Sequence, residues 1–243
     1  MPARRSNITI DGVEVEVTLK VIKHVHIRVS PPHGTVRVSA PCGTSLDEIH
    51  TIVLSRLGWI RRHQVRFAQS AAFTAPRMET GELHYCWGKP YPLLVREGPT
   101  VRVELWNGEL VLEVPSGSSK EERERLLERW YRQELKGAIP SVLARWERIV
   151  GVHPSQWGVR KMRTLWGSCN TKTARIWFNL ELAKKHPESL DYVAVHELTH
   201  LLEPSHGARF EKLVARAMPD WEGCHQRISQ SIFDPGIWVQ GLQ

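Results

Sequence analysis

His196, Glu197 and His200 stand in the order His-Glu-x-x-His, and a third histidine, His206, follows six residues after His200. Four residues apart on a helix, His196 and His200 project from one face about one turn apart. Glu197 lies roughly 100° round from His196, near enough to reach the open side of anything the two imidazoles hold. These residue types suit a divalent cation. Zinc takes about three protein ligands and keeps one position for water, and a carboxylate beside that water can accept its proton. The spacing specifies a bound metal, a nucleophile and a base.

The four-residue pattern is common by chance, so its surroundings matter. Pro187 is a favoured first-turn residue, and Glu188 and Asp191 complement the positive end of a helix dipole. Leu190, Val193, Ala194, Val195, Leu198, Leu201 and Leu202 make the segment apolar nearly all round, which predicts a central, buried helix. Two histidines and a glutamate buried there need partners, and a metal ion supplies them. Pro204 disfavours helix at Glu203. On an unbroken helix His206 would point roughly 240° away from His200; a turn at Glu203-Pro204-Ser205 folds it back. Glu203, Glu211 and Glu222 compete with His206 as third ligand, and His225 and His186 are more distant candidates. Glu203 stands where the longer motif His-Glu-x-x-His-x-x-Gly-x-x-His has glycine.

The elements that must position this helix follow from periodicity. Val13, Val15 and Val17 alternate with polar residues after Asp11-Gly12, a hairpin signal, and Val25, Ile27 and Val29 alternate before Val36 and Val38. His24, His26 and His33 lie close together here, but without a carboxylate or cysteine they are not read as a metal site. A helix is expected over 45–70, with Ser45 and Glu48 as its capping box and Arg56, Arg61, Arg62 and Arg66 along it. Strands return over 83–114, with Asn107-Gly108 as a second hairpin turn. Pro115-Ser116-Gly117-Ser118-Ser119 is the expected domain boundary. It separates an N-terminal α+β module (1–115) from a catalytic core (116–243). Leu127, Trp130, Tyr131, Leu135, Ile139, Leu143, Trp146 and Ile149 form the apolar face of a scaffold helix, which Gly137 and Pro140 are expected to kink or break. Short strands over 156–160, 163–169 and 174–180 make a small sheet able to take an extended peptide as one more strand. Helices are expected over 207–218 and 222–232.

The chain has 243 residues and a formal net charge of +7. Residues 1–75 hold ten Lys/Arg against five Asp/Glu, whereas 76–150 hold twelve of each. A basic first third attracts polyanions, nucleotides and nucleic acid included, although a solubilising surface is the simpler explanation. No run of about 18 apolar residues exists to span a membrane. The start shows no secretory pattern, and Cys42, Cys86, Cys169 and Cys224 form no Cys-x-x-Cys pair. A cytoplasmic protein with reduced thiols is expected.

Met162-Arg163-Thr164-Leu165-Trp166-Gly167-Ser168-Cys169, Asn179-Leu180, Asp191 to His200, His206, Phe210 and Met218-Pro219-Asp220 resemble the YgjP-like metallopeptidase family. That family is a zincin group akin to the small gluzincin-type peptidases and more distantly to SprT-like and WLM domains. Ile27-Arg28-Val29, Val36 to Pro41 and Trp59-Ile60 resemble it more loosely. The resemblance implies an α+β zincin-like core with Zn2+ on His196, His200 and His206 and with Glu197 as base. A zinc-dependent peptidase acting on a peptide or protein is the leading expectation. Arg163, Trp166 and Tyr192 are candidate substrate or transition-state contacts. Two alternatives use the same water and base. One is hydrolysis of a nucleoside triphosphate, with Arg28, Arg61, Arg62 and Arg163 as phosphate partners although no P-loop is present. The other is a DNA-associated peptidase using the basic first third.

Overall fold

The structure is a computed structural model that describes residues 5–30, 34–71, 76–162 and 165–230. His33 of the N-terminal histidine group, the candidate contact Arg163 and the tail after residue 230 lie outside the described residues. The protein is α+β, and its chain divides into two compact units between residues 74 and 75.

The first unit opens with β1 (Arg5–Ile10), β2 (Val13–Lys20), β3 (His26–Ser30) and β4 (Thr35–Pro41). They form one sheet in the order β1-β2-β4-β3, with β2 and β4 parallel. Asp11 and Gly12 both adopt positive φ, 47° and 78°, as a two-residue hairpin turn requires. Alternation puts Val13, Val15, Val17, Val36 and Val38 on one face, buried with Ile49, Val53 and Ile60. These last three belong to α1 (Leu46–Ser55) and α2 (Leu57–Ala71). The expected single helix is therefore two. Ser55 Oγ donates to the Ile52 carbonyl at 2.8 Å, the acceptor that Arg56 N–H needs to continue the helix. Arg56 N–H turns to Val53 O instead.

The second unit begins with β5 (Leu83–Cys86), β6 (Lys89–Glu97), β7 (Arg102–Trp106) and β8 (Glu109–Val114), in the order β5-β6-β8-β7, followed by α3 (Lys120–Val150). Here β6 and β8 are parallel, so the two units start with the same strand order and the same pairings. The likeness extends to residues. Gly34, Pro41, Gly43, Ser45 and Glu48 recur as Gly108, Pro115, Gly117, Ser119 and Glu122, each 74 positions on. Ser45 and Ser119 both close a capping box with the glutamate three residues later. Such agreement in topology and spacing marks an internal repeat of four strands and a helix.

Pro115–Ser119 thus lies inside the second unit, as the turn from β8 to α3, and the division falls earlier than expected. Strands before it are tied to helices after it. Tyr131 OH donates to Tyr85 O at 2.8 Å, and Trp87 N–H to Ala183 O at 2.8 Å.

Helix α3 also differs from expectation, because it runs unbroken through Pro140. Leu127, Tyr131, Leu135, Ile139 and Leu143 make a buried stripe at four-residue spacing, while Lys136, Gly137 and Pro140 face water. The carbonyl that Pro140 leaves without an amide donor is on the wet side, where solvent can satisfy it. The rest of the unit is β9 (Gln156–Arg160), β10 (Gly167–Asn170), β11 (Arg175–Asn179), a 3-10 turn over Leu180–Lys184, α4 (Pro187–Thr199), α5 (Ala208–Ala217) and α6 (Trp221–Gln230). Strand order is β10-β11-β9, antiparallel then parallel, so among the described residues β10 is an edge. Among the described residues no helix is long and apolar enough to cross a membrane.

A proline exposed on an intact helix gives a direct expectation. Pro140→Ala restores one backbone hydrogen bond and should raise stability by about 1–3 kcal/mol. Denaturant unfolding checks this, and a lower midpoint would show that Pro140 shapes a bend the fold uses.

Candidate metal centre

Helix α4 is buried on every side. Ser189, Leu190 and every residue from Tyr192 to Thr199 are buried. Its N-terminus is held by Pro187 in the first turn and by His186 Nδ1, which accepts from Glu188 N–H at 3.5 Å. Helix α3 fastens it from the side: Trp146 Nε1 donates to Asp191 Oδ1 at 2.7 Å, and Arg145 pairs with the same carboxylate. The buried Thr199 hydroxyl donates to Val195 O at 2.7 Å.

The helix stops where Pro204 requires. Glu203 N–H closes on Thr199 O at 2.9 Å, and the Glu203 carboxylate accepts the Ser205 hydroxyl at 2.7 Å. This turn brings His206 back beside the α4 histidines. Its Nε2 lies 3.0 Å from His196 Nε2, and His200 Nε2 lies 3.2 Å from the same atom. All three ligand atoms fall within 4.8 Å of one another. Tetrahedral zinc with nitrogen ligands at 2.0–2.1 Å would separate those nitrogens by roughly 3.3 Å.

Electrostatics suit the same occupant. Burial lowers the His196 pKa well below its usual value, with His200, His206 and His225 adding to it. Burial also lowers His200, with His206 adding, and lowers His206. All three are thus held neutral, as metal ligands must be. His200 Nδ1 faces the Glu203 carbonyl at 3.3 Å. A carbonyl only accepts, so Nδ1 carries the proton and Nε2 offers its lone pair.

Glu197 is 2 % exposed, and its Oε2 has no hydrogen-bond partner. Burial pushes its carboxyl up to about 8. A buried carboxylate with an idle oxygen is costly unless a charge faces it, and a cation on the neighbouring imidazoles would draw the pKa back down. The residues present therefore fit a divalent metal by donor set, by protonation and by the uncompensated carboxylate.

The other candidates separate on inspection. Tyr192 is buried under His196, and its hydroxyl is 2.9 Å from His225 Nδ1; burial raises its pKa. Trp166 is fully buried, with the Lys185 ammonium 5.0 Å from its ring centre. Its side chain therefore belongs to the core, and its backbone leads into the β10 edge. Among the rival ligands, Glu203 is held by Ser205 and Arg209, and His186 caps α4.

Two residues beside the site were not singled out by sequence spacing. A Cβ built on Gly167 would lie 2.5 Å from Glu197 Oε1 and 2.8 Å from Val193 Cγ1, so only glycine lets β10 approach the carboxylate this closely. Asn179 is fully buried and cross-ties the chain entering that strand. Its Nδ2 donates to Met162 O at 3.0 Å and Leu165 O at 2.7 Å, and its Oδ1 accepts from Met162 N–H at 3.3 Å and Glu181 N–H at 3.2 Å. A glycine opening a strand next to a metal-binding helix is the available sequence signal for such an approach.

Three converging imidazoles and a buried carboxylate beside a sheet edge define a metal-dependent hydrolase. Comparison with known proteins makes this specific: the YgjP-like metallopeptidase domain matches residues 23–231, and the chain belongs to that family. It is a metallopeptidase. Among solved structures, the metallopeptidase zymogen of Pyrococcus abyssi abylysin matches with a TM-score of 0.35 at 20 % identity, over 37 % of this chain and 91 % of that one. A search of curated proteins gave no match.

Gly167→Ala should leave the three histidines able to bind metal while displacing Glu197. Peptide hydrolysis is expected to fall by about 100-fold, the scale of a misplacement near 1 Å. Metal content measured beside activity checks this; equal loss of both would place Gly167 in the fold instead.

Proposed function

We propose that the chain is a zinc-dependent peptidase in which Glu197 serves as general base. The observation that carries this reading is one arrangement. Three neutral imidazole nitrogens meet at a point beside a buried carboxylate with an unused oxygen.

His196, His200 and His206 would hold the ion. Zinc bound there would supply a Lewis acid that lowers the pKa of water to about 7 and polarises the scissile carbonyl. The chain's own residues do the rest. Glu197 Oε2, the oxygen without a partner, receives the proton that water gives up and returns it to the departing amine. Edge strand β10 offers backbone groups on its outer side to an extended peptide, which would add as a fourth strand. Gly167 lets that strand run close to the base, and Asn179 fixes its entry. The burial of α4 keeps bulk water from screening the charges that develop.

No observation favours the phosphoanhydride or nucleic-acid readings. Arg61 is committed to Asp11 Oδ2 at 2.7 Å and Arg37 to Glu16 at 2.6 Å, and family membership points to a peptide bond.

Glu197→Gln keeps shape and removes the base. It is expected to retain zinc and to lose at least about 100-fold in cleavage of an unfolded protein substrate. Cleavage at the wild-type rate would refute the assignment. A chelator should abolish activity, with recovery on added zinc. It should also lower the melting temperature, because an ion bound only by the folded state stabilises it; an unchanged melting temperature would mean that the histidines hold no ion.

A further inference from the structure

His206 presents a positional problem. The other two ligands sit on a packed helix, but residues 204–209 are all exposed. The hydrogen bonds within the turn, Ser205 to Glu203 and Gly207 N–H to Ser205 O, shape the backbone without reaching the imidazole. From Pro204 to Lys212 a single side chain is buried, that of Phe210, at 4 % exposure.

Phe210 lies in the first turn of α5, four residues after His206. Its ring touches all three ligand rings: centroids are 4.9 Å from His196, 4.7 Å from His200 and 4.8 Å from His206. The His196 and His206 contacts are edge-on, at 68° and 61°, and the His200 contact is tilted at 34°. Ring edges are the positive part of an aromatic quadrupole and faces the negative part, so such crossings set orientation as well as separation. A flat ring packed against all three imidazoles limits rotation of each about its Cβ–Cγ bond and helps keep the Nε2 atoms together.

From this geometry we infer that Phe210 is the positioning residue of the metal centre. It is a common backstop that anchors the ligand after the helix break and sets the mutual angle of all three. The inference rests on the reading that these histidines hold zinc, and it adds that the site's affinity and geometry depend on a side chain that carries no ligand atom. The flat ring is the working feature, because an aliphatic side chain of similar bulk fills the space without fixing ring planes.

The test uses the full chain as Phe210→Leu, with Val214→Ala as control. Val214 is buried one turn further along α5 and reports loss of helix packing alone. Zinc affinity is measured by chelator competition, ligand geometry by the visible absorption of the cobalt(II)-substituted protein, and folding by the melting temperature of the metal-free form. Phe210→Leu is expected to weaken zinc binding about 10- to 100-fold, as loss of an orienting contact does, and to shift the cobalt bands. Val214→Ala should lower the melting temperature with zinc affinity within about threefold of wild type. Wild-type affinity and an unshifted cobalt spectrum in Phe210→Leu would overturn the inference while leaving the zinc reading intact. So would equal loss of affinity in both variants for equal loss of melting temperature, and so would Phe210→Leu failing to fold, since Phe210 would then be a packing residue. A wild-type protein that binds no zinc would overturn the reading beneath it as well.

Discussion

The structure turns on a carboxylate and an imidazole sunk into a helix with its whole second half buried. Glu197 and His196 lie within a run of α4 that is buried without interruption from Tyr192 to Thr199. Burial of such groups opposes folding unless charge or coordination compensates it. Each surrounding element either excludes water from that helix or brings a compensating group to it. Helix α3 supplies a long apolar stripe and the tie to Asp191, and the β5–β6 hairpin reaches the 3-10 turn that precedes α4. Strand β10 comes within contact of the carboxylate at Gly167. The turn after Pro204 returns His206.

Much of this was legible because it is local. Asp11-Gly12 and Asn107-Gly108 predict two-residue hairpins, and their positive φ values are those of such turns. Pro187 opens α4 where expected, and Pro204 marks its end to within about a turn. The α+β class and the family resemblance follow from such segments, with strands over 156–160 and 175–179 close to those expected, while the strand expected over 163–169 starts only at Gly167. Where local rules failed, a local competitor or the solvent decided. Ser55 took the carbonyl that would have joined α1 to α2, and Pro140 is tolerated because its side of α3 faces water.

What periodicity could not show was long-range. Parallel pairing of β2 with β4 and of β6 with β8 leaves no mark within a strand. The same topology occurring twice became visible only once the strands were ordered, and then the 74-residue spacing of glycine, proline and capping residues followed. Closeness of Gly167 to Glu197, 30 residues apart in sequence, depends on sheet-to-helix packing and appears in no window. The three histidines were nameable from spacing; the ring that touches all three was not, because Phe210 reads as an ordinary inward position of α5.

The most direct measurement is anomalous X-ray scattering at the zinc edge from crystals of protein purified without chelator. One strong peak is expected, about 2.0–2.1 Å from the Nε2 atoms of His196, His200 and His206, with the Glu197 carboxylate facing its open side. No peak there, or a metal held elsewhere while the three imidazoles hydrogen-bond to one another, would contradict the account.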